Sequence, residues 1–323
     1  MKDHYADITK YFRALNNHWK TRYSTIWRKT APVNKIYSRY ANQTIEWAVG
    51  ENKNYLNPDY KDIDVKYHIN ANGFREYPNY TPTSAKKVFT YGCSMTFGFS
   101  LPDEHTWPYL IAKKLGDWQL TNYGIPAAGP KEIGRVCYQT ISCLEKKDYP
   151  DVVFIYFPDF FRTEHIGNED YTPIHTTLNL HAAKYPSLSS IIPTEDPLQY
   201  IESNTPEGLH LSKLYSYYNL TSSTHSFFEM VKSFKLIKET LESRNIPWFW
   251  YTWSPMLYAL KPETIKLFLG NNALINDDGL VIINRSLNNR GRDGSHVGLK
   301  YTDYLSTAFI NLFKVYENRE TNF

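Results

Sequence analysis

The spacing of apolar residues changes near residue 86. In residues 5–30 they recur every three or four positions, which predicts an amphipathic helix. Residues 50–86 are rich in Asn, Pro, Asp and Tyr and predict an irregular, partly extended connection. From residue 87 onward, short apolar runs alternate with helical patterns as far as the end of the chain.

The short apolar runs predict strands and the longer periodic stretches predict helices. We expect strands over residues 87–91, 119–123, 151–157, 247–253 and 279–283. We expect helices over residues 106–115, 131–146, 225–243 and 301–313, with Thr106 as the N-cap of the first. The run at 151–157 is almost continuously apolar, which is typical of a parallel strand covered on both faces.

Alternating strands and helices indicate an α/β fold with a parallel sheet. We therefore predict a three-layer α/β/α domain of flavodoxin-like type, with about five parallel strands, over residues 84–323. Residues 1–83 are predicted to form an N-terminal helical and extended arm. The polar, weakly periodic stretch at 164–222 is predicted to be an insertion that overhangs the site.

The composition fits a soluble globular protein of 323 residues, with 42% hydrophobic and 21% charged residues. We assign most of the aromatic excess, 16% of the chain, to core packing. The net charge of +3 is too small to indicate nucleic-acid binding. Residues 1–60 hold ten Lys or Arg against five Asp or Glu. We interpret this excess as a solvated helix face, and docking of an acidic partner stays open.

The three cysteines have no metal-ligand spacing, and their odd number does not suggest a disulfide framework. We expect neither a metal nor a cofactor. The first residues lack the apolar stretch of a signal peptide, and no run is long enough for a membrane span. A cytoplasmic location is the default expectation, with association with a phage particle left open.

One candidate for chemistry is the stretch TYGCSMTFG, which follows the first predicted strand of the sheet. Ligands of open parallel sheets bind at the carboxyl ends of the strands. A tight turn permitted by Gly92 and Gly98 would present Ser94 there, next to the N-terminus of a helix. By itself, this pattern is more often a glycine corner with a buried serine.

A second candidate is the pair Asp293 and His296, three residues apart just before the last predicted helix. The carboxylate of Asp293 can orient the imidazole, which leaves the other ring nitrogen to take a proton from a serine hydroxyl. Found together with a serine turn after the first strand of the sheet, this pair is far more specific than either motif alone.

With these motifs the sequence resembles the SGNH (GDSL-type) serine hydrolases, over about residues 67–165 and 247–313. The subgroup with Gly-Cys-Ser in the first motif has an upstream Asn-x-x-Gly-Phe-Arg, which matches residues 70–75, and an acidic-Thr-Trp-Pro stretch, which matches residues 103–108. The resemblance implies the SGNH-hydrolase fold. It also implies that Ser94 is the nucleophile, His296 the general base and Asp293 its orienting partner.

The resemblance is incomplete at the oxyanion hole. The family's backbone donor corresponds to Ala127 or Gly129, because the usual first glycine of the pair is Ala127 here. The Asn that the family carries after its third strand is missing, and Arg162 is the best substitute donor in residues 158–165. We expect the backbone N–H of Ser94 to complete the hole. Loss of one such donor typically lowers kcat by about 10²–10³.

Cys93 is an alternative nucleophile because a thiol is intrinsically more nucleophilic than a hydroxyl. Successive residues of a strand point to opposite faces, so a Ser94 that faces the histidine turns Cys93 toward the core. We therefore interpret Cys93 as a core residue.

Two functions follow. The first is a serine esterase that acts on a small-molecule or glycan ester, with removal of O-acyl groups from a glycan as the preferred substrate class. The second is a weakly active or inactive binding or structural module of the same fold, for example in a phage particle or a glycan-processing assembly. The missing Asn and the basic arm motivate the second.

Overall fold

The computed structural model describes residues 43–46, 65–126, 128–158, 163–166, 173–176, 223–253, 269, 272–273, 275–276, 279–280, 291 and 296–320. The strands are β1 Gln43–Glu46, β2 Lys66–Ile69, β3 Arg75–Glu76, β4 Lys87–Gly92, β5 Gln119–Gly124, β6 Val152–Phe157, β7 Thr163–Ile166, β8 Pro173–Thr176, β9 Trp248–Thr252, β10 Ile275–Asn276 and β11 Gly279–Leu280. The helices are α1 Ser94–Phe97, α2 Trp107–Lys114, α3 Pro130–Ser142, α4 Ser223–Glu242 and α5 Leu299–Glu320, with short 3₁₀ turns at Asp103–His105 and Lys146–Asp148.

The central sheet contains four parallel strands in the order β5-β4-β6-β9. Its register places Gly92 of β4 level with Gly124 of β5 and Tyr156 of β6. The carboxyl ends of these strands therefore meet at one edge, directly before α1. The predictions of a mixed α/β fold and a parallel sheet are confirmed.

The outer edge beyond β9 differs from the prediction. A parallel bridge joins Trp250 to Ala273 at the position where a further strand would pair. The strand predicted at 279–283 is present as Gly279–Leu280, but it pairs antiparallel with Ile275–Asn276 in a separate hairpin. The apolar pattern could identify this strand but not its partner.

Each face of the sheet is covered by its own hydrophobic cluster. Alternate residues of β6, namely Val153, Ile155 and Phe157, join buried residues of α3 and α4. The residues between them, such as Phe154 and Tyr156, join buried residues of α2 and α5. Strand β6 is thus buried on both sides, which explains its continuous apolar run.

Residues 65–77 pack against the sheet as part of the core. Strands β1, β2 and β3 form an antiparallel sheet, and Phe74 enters the cluster under α3. The connection predicted to be irregular therefore contains short strands. The amphipathic helix predicted at 5–30 lies outside the described residues.

The insertion predicted at 164–222 begins with a hairpin in which β7 pairs antiparallel with β8, and residues 177–222 lie outside the described part of the chain. Among the described helices, none combines the length and the apolarity that crossing a membrane requires.

Candidate active site

Ser94 begins helix α1, a single turn that follows β4 after Cys93. The helix ends at Phe97, and its C-cap Gly98, with a left-handed φ of 80°, donates its N–H to the Ser94 carbonyl. Ser94 is 8% exposed. The chain thus turns sharply from strand to helix at the carboxyl end of the sheet, as the glycine spacing predicts.

The turn needs glycine on two neighbouring strands because backbone and side chains approach closely there. A Cβ on Gly92 would lie 1.9 Å from Thr96 Oγ1 and 2.6 Å from the Tyr156 carbonyl oxygen. A Cβ on Gly124 would lie 2.2 Å from the backbone nitrogen of Phe97. Helix α1 therefore rests directly on the ends of β4 and β5, and this contact fixes the height of Ser94 above the sheet.

His296 lies beside Ser94, although 202 positions separate them in the sequence. Its Nε2 is 3.0 Å from Ser94 Oγ, within hydrogen-bonding distance. Its ring contacts Phe99, with ring centroids 5.0 Å apart. The N–H of Gly291 donates to the His296 carbonyl, shortly before α5 begins at Leu299. A partly buried imidazole in this position can accept the hydroxyl proton of Ser94.

Ser94 and Met95 carry backbone N–H groups at the start of helix α1. In the described part of the chain, the N–H groups of Ser94 and Met95 donate no hydrogen bond. Gly129 is the N-cap of the 13-residue helix α3, where N–H groups lack intrahelical partners. The other predicted site residues, Ala127, Arg162 and Asp293, lie outside the described residues.

Arg75 is a residue of this site whose role the sequence did not reveal. It is 1% exposed, and its guanidinium donates to the carbonyls of Phe97, Gly98 and Leu101 at 2.7–3.0 Å. It also forms an ion pair with Asp103 at 2.6 Å. These carbonyls belong to the end of α1 and to the segment that follows it. The available signal was the Asn-x-x-Gly-Phe-Arg motif at residues 70–75, which ends at this arginine.

Residues 70–75 form a turn that positions Arg75. The side-chain oxygen of Asn70 accepts hydrogen bonds from the N–H groups of Asn72 and Phe74, and Gly73 adopts a φ of 82°. Phe74 then packs edge-on against Tyr123. The motif that supported the family resemblance thus has a local structural explanation.

Asn122 is a second residue that the sequence did not single out. Its side chain donates to the Thr96 carbonyl at 2.9 Å and to the Tyr77 hydroxyl at 2.7 Å, and it accepts the N–H of Gly124. Burial raises the pKa of Tyr77, which keeps the phenol neutral in this network. Asn122 therefore ties α1 to β5 by hydrogen bonds where Gly124 allows close contact.

Cys93 is fully buried in the cluster that α3 and α4 cover. Its neighbour Ser94 instead contacts His296. This arrangement agrees with the interpretation of Cys93 as a core residue. Within the described ranges, His, Cys, Asp and Glu side chains form no cluster that could hold a metal ion.

No protein-family model matches the chain. No curated protein matches it significantly. Solved structures similar to it include a G-D-S-L family protein from Desulfitobacterium hafniense DCB-2, named as lipolytic, at 14% identity and a TM-score of 0.33, over 70% of this chain and 99% of that one. A carbohydrate acetylesterase from Sinorhizobium meliloti is similar at 13% identity and a TM-score of 0.32, over 72% and 99%. An SGNH-hydrolase family esterase is similar at 11% identity and a TM-score of 0.32, over 58% and 75%.

Proposed function

We propose that the chain is a serine ester hydrolase of the SGNH type. The observation that carries the proposal is the 3.0 Å approach of His296 Nε2 to Ser94 Oγ at the carboxyl edge of a parallel sheet. A serine at the start of a helix, with an imidazole in hydrogen-bonding reach, is the arrangement that nucleophilic acyl transfer needs.

In the acylation step, Ser94 Oγ attacks the ester carbonyl while His296 Nε2 takes the hydroxyl proton. The tetrahedral intermediate collapses, the bond to the alcohol oxygen breaks, and His296 returns the proton to the leaving alcohol. Water then attacks the acyl-enzyme with His296 as the base. The carboxylic acid leaves and the Ser94 hydroxyl is restored.

The negative charge of each tetrahedral intermediate needs hydrogen-bond donors. We assign this role to the backbone N–H groups of Ser94 and of Ala127 or Gly129, with Arg162 in the position where the family carries Asn. We assign Asp293 to the second ring nitrogen of His296, where a carboxylate would hold the productive tautomer. The three-layer, flavodoxin-like arrangement, with a fifth strand beside β9, belongs to the same proposal.

We propose O-acyl groups on a glycan as the substrate class, within the Gly-Cys-Ser subgroup that the motifs resemble. The family often removes such groups, and aromatic side chains of the kind abundant in this chain can stack on sugar rings. Acetylated oligosaccharides and short-chain aryl esters are therefore the substrates to compare.

Ester hydrolysis by matched variants tests the proposal. We expect Ser94→Ala to lower kcat on a short-chain aryl ester by at least about 10³, whereas the neighbouring buried Cys93→Ala keeps activity. His296→Gln should lower kcat similarly. A Ser94→Ala variant that hydrolyses the ester at the wild-type rate would refute the assignment.

A serine-directed fluorophosphonate separates the enzyme from the inactive module of the same fold. The proposal predicts labelling of Ser94 in the native protein and its loss in His296→Gln, because the base must activate the hydroxyl. Absence of labelling in correctly folded wild-type protein would favour the binding or structural module.

A further inference from the structure

The guanidinium of Arg75 has five N–H donors, and five hydrogen bonds use them. Nη1 donates to the carbonyls of Phe97 and Gly98, at 3.0 and 2.7 Å. Nη2 donates to the Leu101 carbonyl and to Asp103 Oδ1, and Nε also donates to Asp103 Oδ1. The group is therefore buried without an unsatisfied donor.

Two of these acceptors lie at the end of the turn that carries Ser94. Phe97 is the last residue of α1 and Gly98 its C-cap, and the N–H groups of Gly98 and Phe99 both donate to the Ser94 carbonyl. The ends of a one-turn helix have no further intrahelical partners, so a cation beside the terminal carbonyls satisfies and orients them.

The third carbonyl lies in the segment that supports His296. In this segment Phe99 packs against the His296 ring, and the Ser100 N–H donates to the Tyr67 hydroxyl. Gly291, which donates to the His296 carbonyl, lies so close to Ser100 that a Cβ on Gly291 would be 3.2 Å from Ser100 Cβ. The segment 98–101 thus lies against both His296 and Gly291, the residue that donates to the His296 carbonyl.

We propose that Arg75 is a positioning residue that sets the distance between Ser94 and His296, by holding the end of α1 and the segment 98–101 from one guanidinium group. This inference rests on the proposed function. Lysine cannot replace Arg75 because its ammonium is a single point with three donors. It cannot donate to all the carbonyls that the separate nitrogens of a planar guanidinium reach.

Arg75→Lys tests the proposal against Ile141→Ala as a control. Ile141 is fully buried at the far end of α3 from the site, so its truncation destabilises the core without touching the turn. Both variants are assayed at a temperature where circular dichroism shows them folded. We expect Arg75→Lys to lower kcat by about 10- to 100-fold with little change in KM, and Ile141→Ala to keep the wild-type kcat.

Chemical rescue adds a readout that a merely structural role would not give. Arg75→Ala leaves a cavity of guanidinium shape, and millimolar guanidinium chloride is expected to restore kcat several-fold, whereas sodium chloride at equal ionic strength is not. An unchanged kcat in Arg75→Lys, at equal folded fraction, would overturn the proposal.

Hydrogen–deuterium exchange provides an arm that does not depend on activity. In Arg75→Lys we expect faster exchange in peptides that cover residues 93–101 and 291–298, and no such local change in Ile141→Ala. Unchanged exchange there would overturn the role of Arg75 even if the protein hydrolysed no ester. Conversely, suppose that the wild-type protein hydrolyses no ester but that Arg75→Lys still exchanges faster than wild type in these peptides. That result would refute only the proposed function.

Discussion

Two ion pairs have nearly the same N···O distance but differ in how deeply they are buried. Arg75 and Asp103 approach to 2.6 Å with side chains 0% and 15% exposed, whereas Lys114 and Asp303 approach to 2.7 Å with side chains 28% and 56% exposed. Water screens the second pair, and the Lys114 ammonium also donates to Ser306 and Thr307. Removing one partner therefore has very different consequences for the two pairs.

We predict that Asp103→Ala lowers the free energy of unfolding by about 3 kcal/mol, because it leaves the Arg75 guanidinium buried without its counter-ion. Asp303→Ala should change it by less than about 1 kcal/mol. Urea unfolding of both variants at neutral pH measures the difference. Equal losses in the two variants would show that burial does not control these pairs.

At the scale of elements, the junction of β5 with α1 positions the proposed nucleophile. Gly124 of the strand has no side chain, so the backbone of Thr96 and Phe97 in the helix can approach it closely. The side-chain amide of Asn122, also in the strand, donates to the Thr96 carbonyl. Steric contact and hydrogen bonding therefore act at the same place. The junction should tolerate no added atom.

Gly124→Ala tests this junction, with Gly116→Ala as the control. A Cβ at position 124 meets backbone atoms at 2.2 Å and 2.6 Å, whereas position 116 has open space and only an unfavourable φ of 90°. We predict a loss of about 3 kcal/mol for Gly124→Ala, together with a lower esterase kcat, and a loss of only about 1–2 kcal/mol for Gly116→Ala. Urea unfolding and the aryl-ester assay provide the two measurements. Similar losses would contradict a specific contact at position 124.

Elements with a clear apolar run or a clear apolar period were predictable from the sequence. The strand predicted at 151–157 is present as Val152–Phe157, and the helix predicted at 106–115 is present as Trp107–Lys114 with Thr106 as its N-cap. The last helix is longer than predicted, Leu299–Glu320, because its final turns are mostly polar and exposed. A polar helix end carries no hydrophobic period.

The site was partly predictable, for a related reason. Ser94 and His296 belong to short motifs whose chemistry is visible locally, and they lie within hydrogen-bonding distance. The hydrogen bonds that Arg75 and Asn122 donate join residues 22 to 45 positions apart in the sequence. Nothing in a local pattern says which carbonyl a buried arginine will reach, so only the fold could reveal these roles.

At the scale of the whole molecule, the core holds several ionisable groups that burial keeps neutral. Burial raises the pKa of Tyr77, Tyr91 and Tyr123 above the ordinary 10.0 of tyrosine. It raises the pKa of the Cys137 thiol far above its ordinary 9.0. Three of these groups, Tyr91, Tyr123 and Cys137, belong to the cluster under α3 and α4 or pack against it.

These raised pKa values predict that the folded protein loses stability at alkaline pH. Each raised pKa means that the folded protein keeps a proton that the unfolded chain loses above about pH 9 for the thiol and pH 10 for the phenols. The stabilisation is therefore complete below about pH 9. It falls as the pH rises toward the folded-state pKa, by up to about 1.4 kcal/mol per pH unit for each group. Urea midpoints should be flat from about pH 7 to 8.5 and then decrease steeply.

Variants that remove one ionisable group identify how much that group contributes to the fall of the unfolding free energy with rising pH. Cys137→Ala should reduce the decline in unfolding free energy between about pH 9 and 11 by up to 1.4 kcal/mol per pH unit, on top of a constant loss from the cavity. Cys143→Ala is the matched control because Cys143 is exposed, and it should leave the slope unchanged. If Cys137→Ala and wild type decline in parallel above pH 9, the buried thiol does not contribute. The alkaline sensitivity would then have to come from the tyrosines alone, which Tyr91→Phe tests by the same measurement.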